Sequence, residues 1–272
     1  MEKRKERMKK IIKNITLLSP GGNNTALVPG INRSFAEKKK INDGIMKKFA
    51  DIEQVGFVDL KKPELQMAGG EFCGNATRST VFIVLKGLPG EKLIKVSGAN
   101  KLLKGGITSK KLVWAEMPIY QNLKIKKIKN INIVPLYGIT IVVIERKKKF
   151  TNRDYAKKKA IAILKKLKLL KPVPASGVMF LIKEKNYYEV EPVIWVRDIK
   201  TLFYETACAS GTTGVGLYLA KKLNQRITDL PILQPSGKKL FVSVTKEKDK
   251  FTFAKISGEV QILKKINLAT NY

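Results

Sequence analysis

Cys73-Gly74-Asn75-Ala76-Thr77 and Cys208-Ala209-Ser210-Gly211-Thr212 are look-alike segments, each headed by one of the only two cysteines in the chain. They stand about half the chain apart, the spacing expected if two similar halves each deliver one thiol to a shared cleft. An apolar run follows each segment. Residues 81–85 are rich in Val, Ile and Phe and on propensity alone suit a strand. The counterpart at 214–223 has a more helical composition, so both runs are read as buried helices.

Working outward, 11–18 alternates loosely as a strand and enters the dense turn Ser19-Pro20-Gly21-Gly22-Asn23-Asn24. Residues 25–28 resume an extended pattern, 41–49 reads as a short helix and 55–60 as a strand. The lysine-rich stretch 124–132 is the linker candidate between halves. Beyond it, 139–145 is a β-branched strand. Thr151 or Asn152 caps a helix to about Leu170, with Ile161, Leu164, Leu167 and Leu170 on one face. Strands at 178–182, 193–196, 240–244 and 251–256 complete the set. Strands, a helix and more strands, met roughly twice, predict an α+β protein of two similar domains.

Composition narrows the chemistry. The 272 residues carry a formal charge of +32, from 46 Lys and 8 Arg spread end to end. Readers of phosphates and bases lean on Arg forks, so this pattern suits a lysine-coated surface better than a nucleic-acid groove. Two cysteines and no histidine exclude a four-ligand Cys/His zinc site and any His-dependent triad. The chain has no run of eighteen apolar residues, and its basic start lacks the apolar core and cleavage site of a signal peptide. A cytoplasmic protein with reduced thiols, away from membranes, is expected.

A cysteine at the entrance to a helix meets free N–H groups that bind anions and favour thiolate over thiol. Donors after each cysteine could hold a substrate carboxylate, with the two sulfurs on opposite faces of its α-carbon. One thiolate would remove the α-proton and the other thiol would return one, an arrangement suited to a racemase. No pyridoxal or other cofactor is implied. The residues alone leave catalysis, two structural thiols and a redox disulfide all open.

Glu71-Phe72-Cys73-Gly74-Asn75-Ala76-Thr77 and Glu205-Thr206-Ala207-Cys208-Ala209-Ser210-Gly211-Thr212 resemble the two active-site motifs of the diaminopimelate epimerase superfamily. Within it the chain is most similar to the cofactor-independent histidine racemases of opine metallophore (staphylopine-type) biosynthesis. The resemblance runs on through Gly22-Asn23-Asn24-Thr25, Glu53-Gln54-Val55-Gly56-Phe57, Gly177-Val178-Met179-Phe180, Gln234-Pro235 and Ser257-Gly258.

That resemblance implies two α/β domains related by a pseudo-two-fold, each a curved sheet around a central helix, with the active site in the cleft between them. Residues 1–125, with a C-terminal strand at about 258–272, would form one lobe and 126–257 the other. It further implies that Cys73 and Cys208 are the bases. Gly74, Asn75, Ala209, Ser210, Gly211 and Thr212 would hold the α-carboxylate, and Asn23, Glu53, Gln54 and Glu205 would contact substrate, Glu205 through the ammonium. Departures are informative. Arg197-Asp198-Ile199-Lys200-Thr201-Leu202 lacks the Glu-Arg pair that reads the distal end of diaminopimelate, and Ile139-Thr140-Ile141 stands where the epimerases have Asn-Pro-His. Ala209 replaces a glycine and fits only at negative φ.

The expected function is therefore pyridoxal-independent racemisation of a free amino acid, histidine first. The competing expectations are an isomerase of the same fold acting on another acid, and a basic nucleic-acid-binding protein. Oligomeric state stays open, since a homodimer would need an apolar patch to offset the charge.

Overall fold

The computed structural model describes residues 9–248 and 250–271. Residues 1–8, part of the basic start, lie outside them. The first half runs β1 (Lys9–Pro20), β2 (Asn24–Pro29), α1 (Phe35–Lys48), β3 (Ile52–Asp59), β4 (Glu64–Met67), α2 (Gly74–Val84), β5 (Gly90–Val96), β6 (Leu103–Ile107) and β7 (Val113–Glu116). After β8 (Lys126–Ile128) come β9 (Ile131–Leu136), β10 (Ile139–Arg146), α3 (Arg153–Lys166), β11 (Ala175–Lys183), β12 (Tyr188–Val196) and β13 (Thr201–Tyr204). The last elements are α4 (Ala209–Lys222), β14 (Ile227–Leu233), β15 (Lys239–Glu247), β16 (Lys250–Gly258) and β17 (Val260–Asn271).

The protein is a mixed α/β fold with one large connected sheet and few helices. From β1 to β7 successive strands pair antiparallel, parallel, antiparallel, parallel, antiparallel, antiparallel. The same order recurs along β9, β10, β11, β12, β14, β15 and β16. β7 pairs with β16 and joins the two runs, while β17 returns along β1. Parallel neighbours need a crossover, and each of the four helices lies within one. α2 packs under β1, β2, β6 and β7, and α4 under β10, β11, β15 and β16, whereas α1 lies on β3 and α3 on β11 to β13.

This layering explains the burial. β10 and β11 are covered by α4 on one face and α3 on the other, so their side chains read as near-continuous apolar runs. α2 and α4 are enclosed along most of their length. Close approach of β10 to α4 depends on Gly214, where an added Cβ would meet the Ile141 side chain at 2.6 Å.

Several expected boundaries move. α1 begins at Phe35, ahead of the expected 41, because Ser34 and Glu37 form a reciprocal capping box. α3 starts as predicted from Asn152, whose Oδ1 accepts the Tyr155 N–H at 2.8 Å. It ends at Lys166, short of Leu170, because Lys168 turns left-handed (φ 57°) and Leu169 N–H bonds back to Leu164 O. Leu164 is the only buried member of the expected four-residue face, with Ala156 and Ala160 beside it. The 124–132 linker is in fact a hairpin, β8 against β9, turning at Lys129 and Asn130.

Candidate active site

Both cysteines occupy the position expected of them at the start of a helix. Cys73 caps α2 and Cys208 caps α4, each in extended backbone, and each sulfur accepts a first-turn N–H, from Ala76 and Gly211, at 3.3 Å. The two helix starts meet at one partly open cavity of about 40 Å³, lined by both cysteines. Both thiols are free. At the meeting point a Cβ built on Gly74 would stand 2.8 Å from the Cβ of Ala209. Ala209 has negative φ, so its side chain fits, and it occupies the space that Gly74 leaves.

Gln54 ties the first sulfur to an acid of the second cysteine segment. The Cys73 thiol donates to Gln54 Oε1 at 2.8 Å, and Gln54 Nε2 donates to Glu205 Oε1 at 3.0 Å. The charge of Glu205 also acts on Cys208. Glu53 is held by Asn23 Nδ2 at 2.7 Å and by the Thr206 hydroxyl and N–H, which links β3 to the second cysteine segment. Burial pushes the carboxyl of Glu53 up to about 7, against the hydrogen bonds from Thr206. Burial, reinforced by the charge of Glu53, takes Glu205 up to about 8.

The thiols correct an expectation. Burial pushes both of them up, with Glu205 adding to the effect, and this outweighs the helix N–H groups that favour thiolate. Cysteines at helix starts are depressed only where water or a cation still reaches them.

Glu53, Gln54, Gly74, Asn75, Glu205, Ala209 and Ser210 line the cavity as expected; Asn23, Gly211 and Thr212 do not. Asn23 is fully buried behind Glu53, Gly211 serves Cys208, and Thr212 accepts from Gln234 at 3.1 Å. Asn75 spends its side chain on structure: Nδ2 donates to Ala207 O at 2.8 Å, and Oδ1 accepts from the buried Arg78 at 3.0 Å. Only its backbone N–H remains to meet a ligand.

Other residues had no assigned role. Gln234 fixes the second cysteine by accepting the Cys208 N–H at 3.0 Å, and Asn42 and Met46 of α1 reach the cavity wall. Glu71 lines it too, and burial pushes its carboxyl up to about 7. Its signal was legible: Glu71 stands two residues before Cys73, and Glu205 three before Cys208. Among the described residues no group of three or more His, Cys, Asp or Glu side chains is arranged to hold a metal ion. No helix there is long and apolar enough to cross a membrane.

Both capped thiols line one cavity between matching helix starts, and comparison with known proteins puts the chain in a class, the racemases and epimerases, so the protein is an isomerase. More narrowly, residues 13–266 match the family model described as the histidine racemase CntK N-terminal domain, and the chain belongs to this family. A histidine racemase of Fusobacterium nucleatum is 31% identical over 233 residues, 81% of this chain and 85% of the relative. A solved hydroxyproline epimerase from Agrobacterium vitis superposes with a TM-score of 0.62 at 11% identity, covering 99% of this chain and 94% of that one. A phenazine biosynthesis protein of the PhzF family from Enterococcus faecalis gives 0.58 at 15% identity, over 96% and 99%. At such identities these two speak for the fold alone.

Proposed function

We propose that this protein interconverts L- and D-histidine in the cytosol without pyridoxal, using Cys73 and Cys208 as its two bases. The observation that carries the proposal is the placement of both thiols as caps of two buried helices whose starts meet at one cavity. The histidine racemase relatives support the choice of substrate. Residues 9–125 with β17 and residues 126–257 would form the two lobes, related by a pseudo-two-fold as in diaminopimelate epimerase; the repeated pairing order supports that division.

In this mechanism the substrate carboxylate sits against the first-turn N–H groups of Gly74, Asn75, Ala209 and Ser210, which have no acceptor within their helices. Negative charge gathers on that carboxylate as the α-C–H bond breaks, and fixed donors stabilise it without reorganising. Glu205, pushed up to about 8, is closer to a thiol in proton affinity than an ordinary carboxylate, and in its ionised form it can take the Cys208 proton. A thiolate then takes the α-proton from one face, and the other S–H gives its proton to the opposite face. The reverse reaction exchanges the two roles. At about 40 Å³ the cavity has room for a few waters, less than an amino acid needs.

In deuterated buffer, D-histidine formed from L-histidine should carry deuterium at the α-carbon while early unreacted substrate does not. Product without α-deuterium would reject the two-base scheme. Cys73→Ser and Cys208→Ser should each lower turnover by about three orders of magnitude or more, because a serine hydroxyl ionises far less readily than a thiol.

A further inference from the structure

Among the described residues, buried side-chain atoms without a hydrogen-bond partner gather at this cavity. Asn42 Oδ1, Glu71 Oε2, Thr201 Oγ1 and Glu205 Oε2 all belong to residues that line it. Buried polar atoms are ordinarily paired, so a cluster of orphans at one cavity points to partners that arrive with a ligand. All four can accept. Asn42 Nδ2 is committed to Asp43 at 3.1 Å, which leaves its oxygen free as an acceptor, and the carboxyl and hydroxyl oxygens accept as well. In a chain of net charge +32, the lining includes Glu53, Glu71 and Glu205 and neither lysine nor arginine.

The three carboxyls are not equivalent. Both oxygens of Glu53 are taken by Asn23 and Thr206. Glu205 accepts from Gln54 through Oε1, and its charge acts on Cys208. Burial raises the Glu71 carboxyl, the backbone N–H groups of Glu71 and Gly69 oppose the rise, and the charge of Asp198 adds to it. A Cβ built on Gly69 would stand 2.6 Å from Glu71 Oε2 and 2.7 Å from Val196 Cγ1, so the free oxygen lies against the wall that Val196 shares with Ile199 and Thr201. That wall replaces the Glu-Arg pair absent from 197–202. Arg197 and Asp198 pair with each other at 2.6 Å, partly exposed.

Resting on the racemase reading, we propose that Glu71 determines side-chain specificity. With Thr201 it accepts hydrogen bonds from N–H groups on the substrate side chain, and Glu205 is left to the α-ammonium. The substrate class is an amino acid whose short side chain carries an N–H donor, as imidazole does. Phenylalanine, a ring with no donor, and leucine are the excluded alternatives. A carboxyl raised to about 7 is also close to imidazole in proton affinity, so the two can share one proton across neutral pH.

The test compares wild type, Glu71→Gln and Thr201→Val with L-histidine, L-phenylalanine and L-leucine, reading α-hydrogen exchange in deuterated buffer and ligand-induced thermal shift. Glutamine keeps an oxygen for the backbone N–H groups but can turn a donor toward the substrate. E71Q should raise KM for histidine roughly 10- to 100-fold, with a smaller change in kcat, and collapse the preference over phenylalanine. T201V should move both in the same direction by less. Should both variants keep the wild-type KM and preference, the role of Glu71 is lost while the racemase survives. A wild type that exchanges leucine as readily as histidine also overturns the specificity proposal alone. Exchange with none of the three would sink the racemase reading. The specificity proposal would then stand or fall on whether histidine raises the melting temperature of wild type and fails to do so for E71Q.

Discussion

Gly74 and Ala209 divide one small space where the two helix starts meet, and only one of them can carry a Cβ. Gly74→Ala should force that contact apart, costing about 1–3 kcal/mol of stability as overpacking does. It should also remove most racemisation, because the displaced helix starts carry both sulfurs and the carboxylate donors. Gly74→Ala with Ala209→Gly should recover much of both, since the remaining neighbour is the flexible end of Met117. Chemical denaturation and the exchange assay on the three variants check this; a double variant no better than G74A would show that Met117 sets the limit. At this scale the two helix starts of the cavity were legible, because a cysteine followed by small residues marks a helix entrance, while the wall from α1, Ile139, Ala175 and 194–203 was not. Asn75 was misjudged for a physical reason: its amide can bind a ligand or bridge Arg78 to Ala207, and only packing decides between them.

The helices differ in what their caps protect. Asn152 caps α3, which lies on β11 to β13 and contributes nothing to the cavity, whereas Ser34 caps α1, which carries Asn42 and Met46 to its wall. Asn152→Ala and Ser34→Ala should each cost about 1 kcal/mol, the usual value of an N-cap. The first should leave KM for histidine unchanged and the second should raise it; equal KM values would show that the α1 cap has no influence on the wall. Element ends were harder to foresee than element types. α2, α3 and α4 all close with a left-handed residue, Lys86, Lys168 and Asn224, followed by a bond back into the last turn. Two of these are lysines, which carry no terminator signal, so the apolar spacing through Leu167 and Leu170 overran the true end of α3. The β8–β9 hairpin was hidden in the same way, since alternating Lys and Ile with no Gly at the turn read as a linker.

Among the described residues of the whole molecule, burial holds three carboxyls well above their ordinary value of 4.5: Glu53 and Glu71 at about 7 and Glu205 at about 8. The folded chain therefore binds more protons than the unfolded one between those values. The stability they contribute is full below about 4.5 and is lost as the pH rises toward about 8. The urea midpoint should fall across this interval, and Glu205→Gln should flatten part of the fall; a midpoint that rises with pH there would contradict the burial of these acids. The amino-acid pattern by itself determined two look-alike segments, each with a cysteine at the head of a helix. Such information is local, written in period, composition and turn residues. Only the tertiary structure decided that burial outweighs the helix field at the thiols, that Asn23 and Asn75 brace the site from behind, and that Glu71 is left with a free oxygen. Each of these depends on which groups from distant parts of the chain exclude water from one another, and sequence spacing carries no record of that.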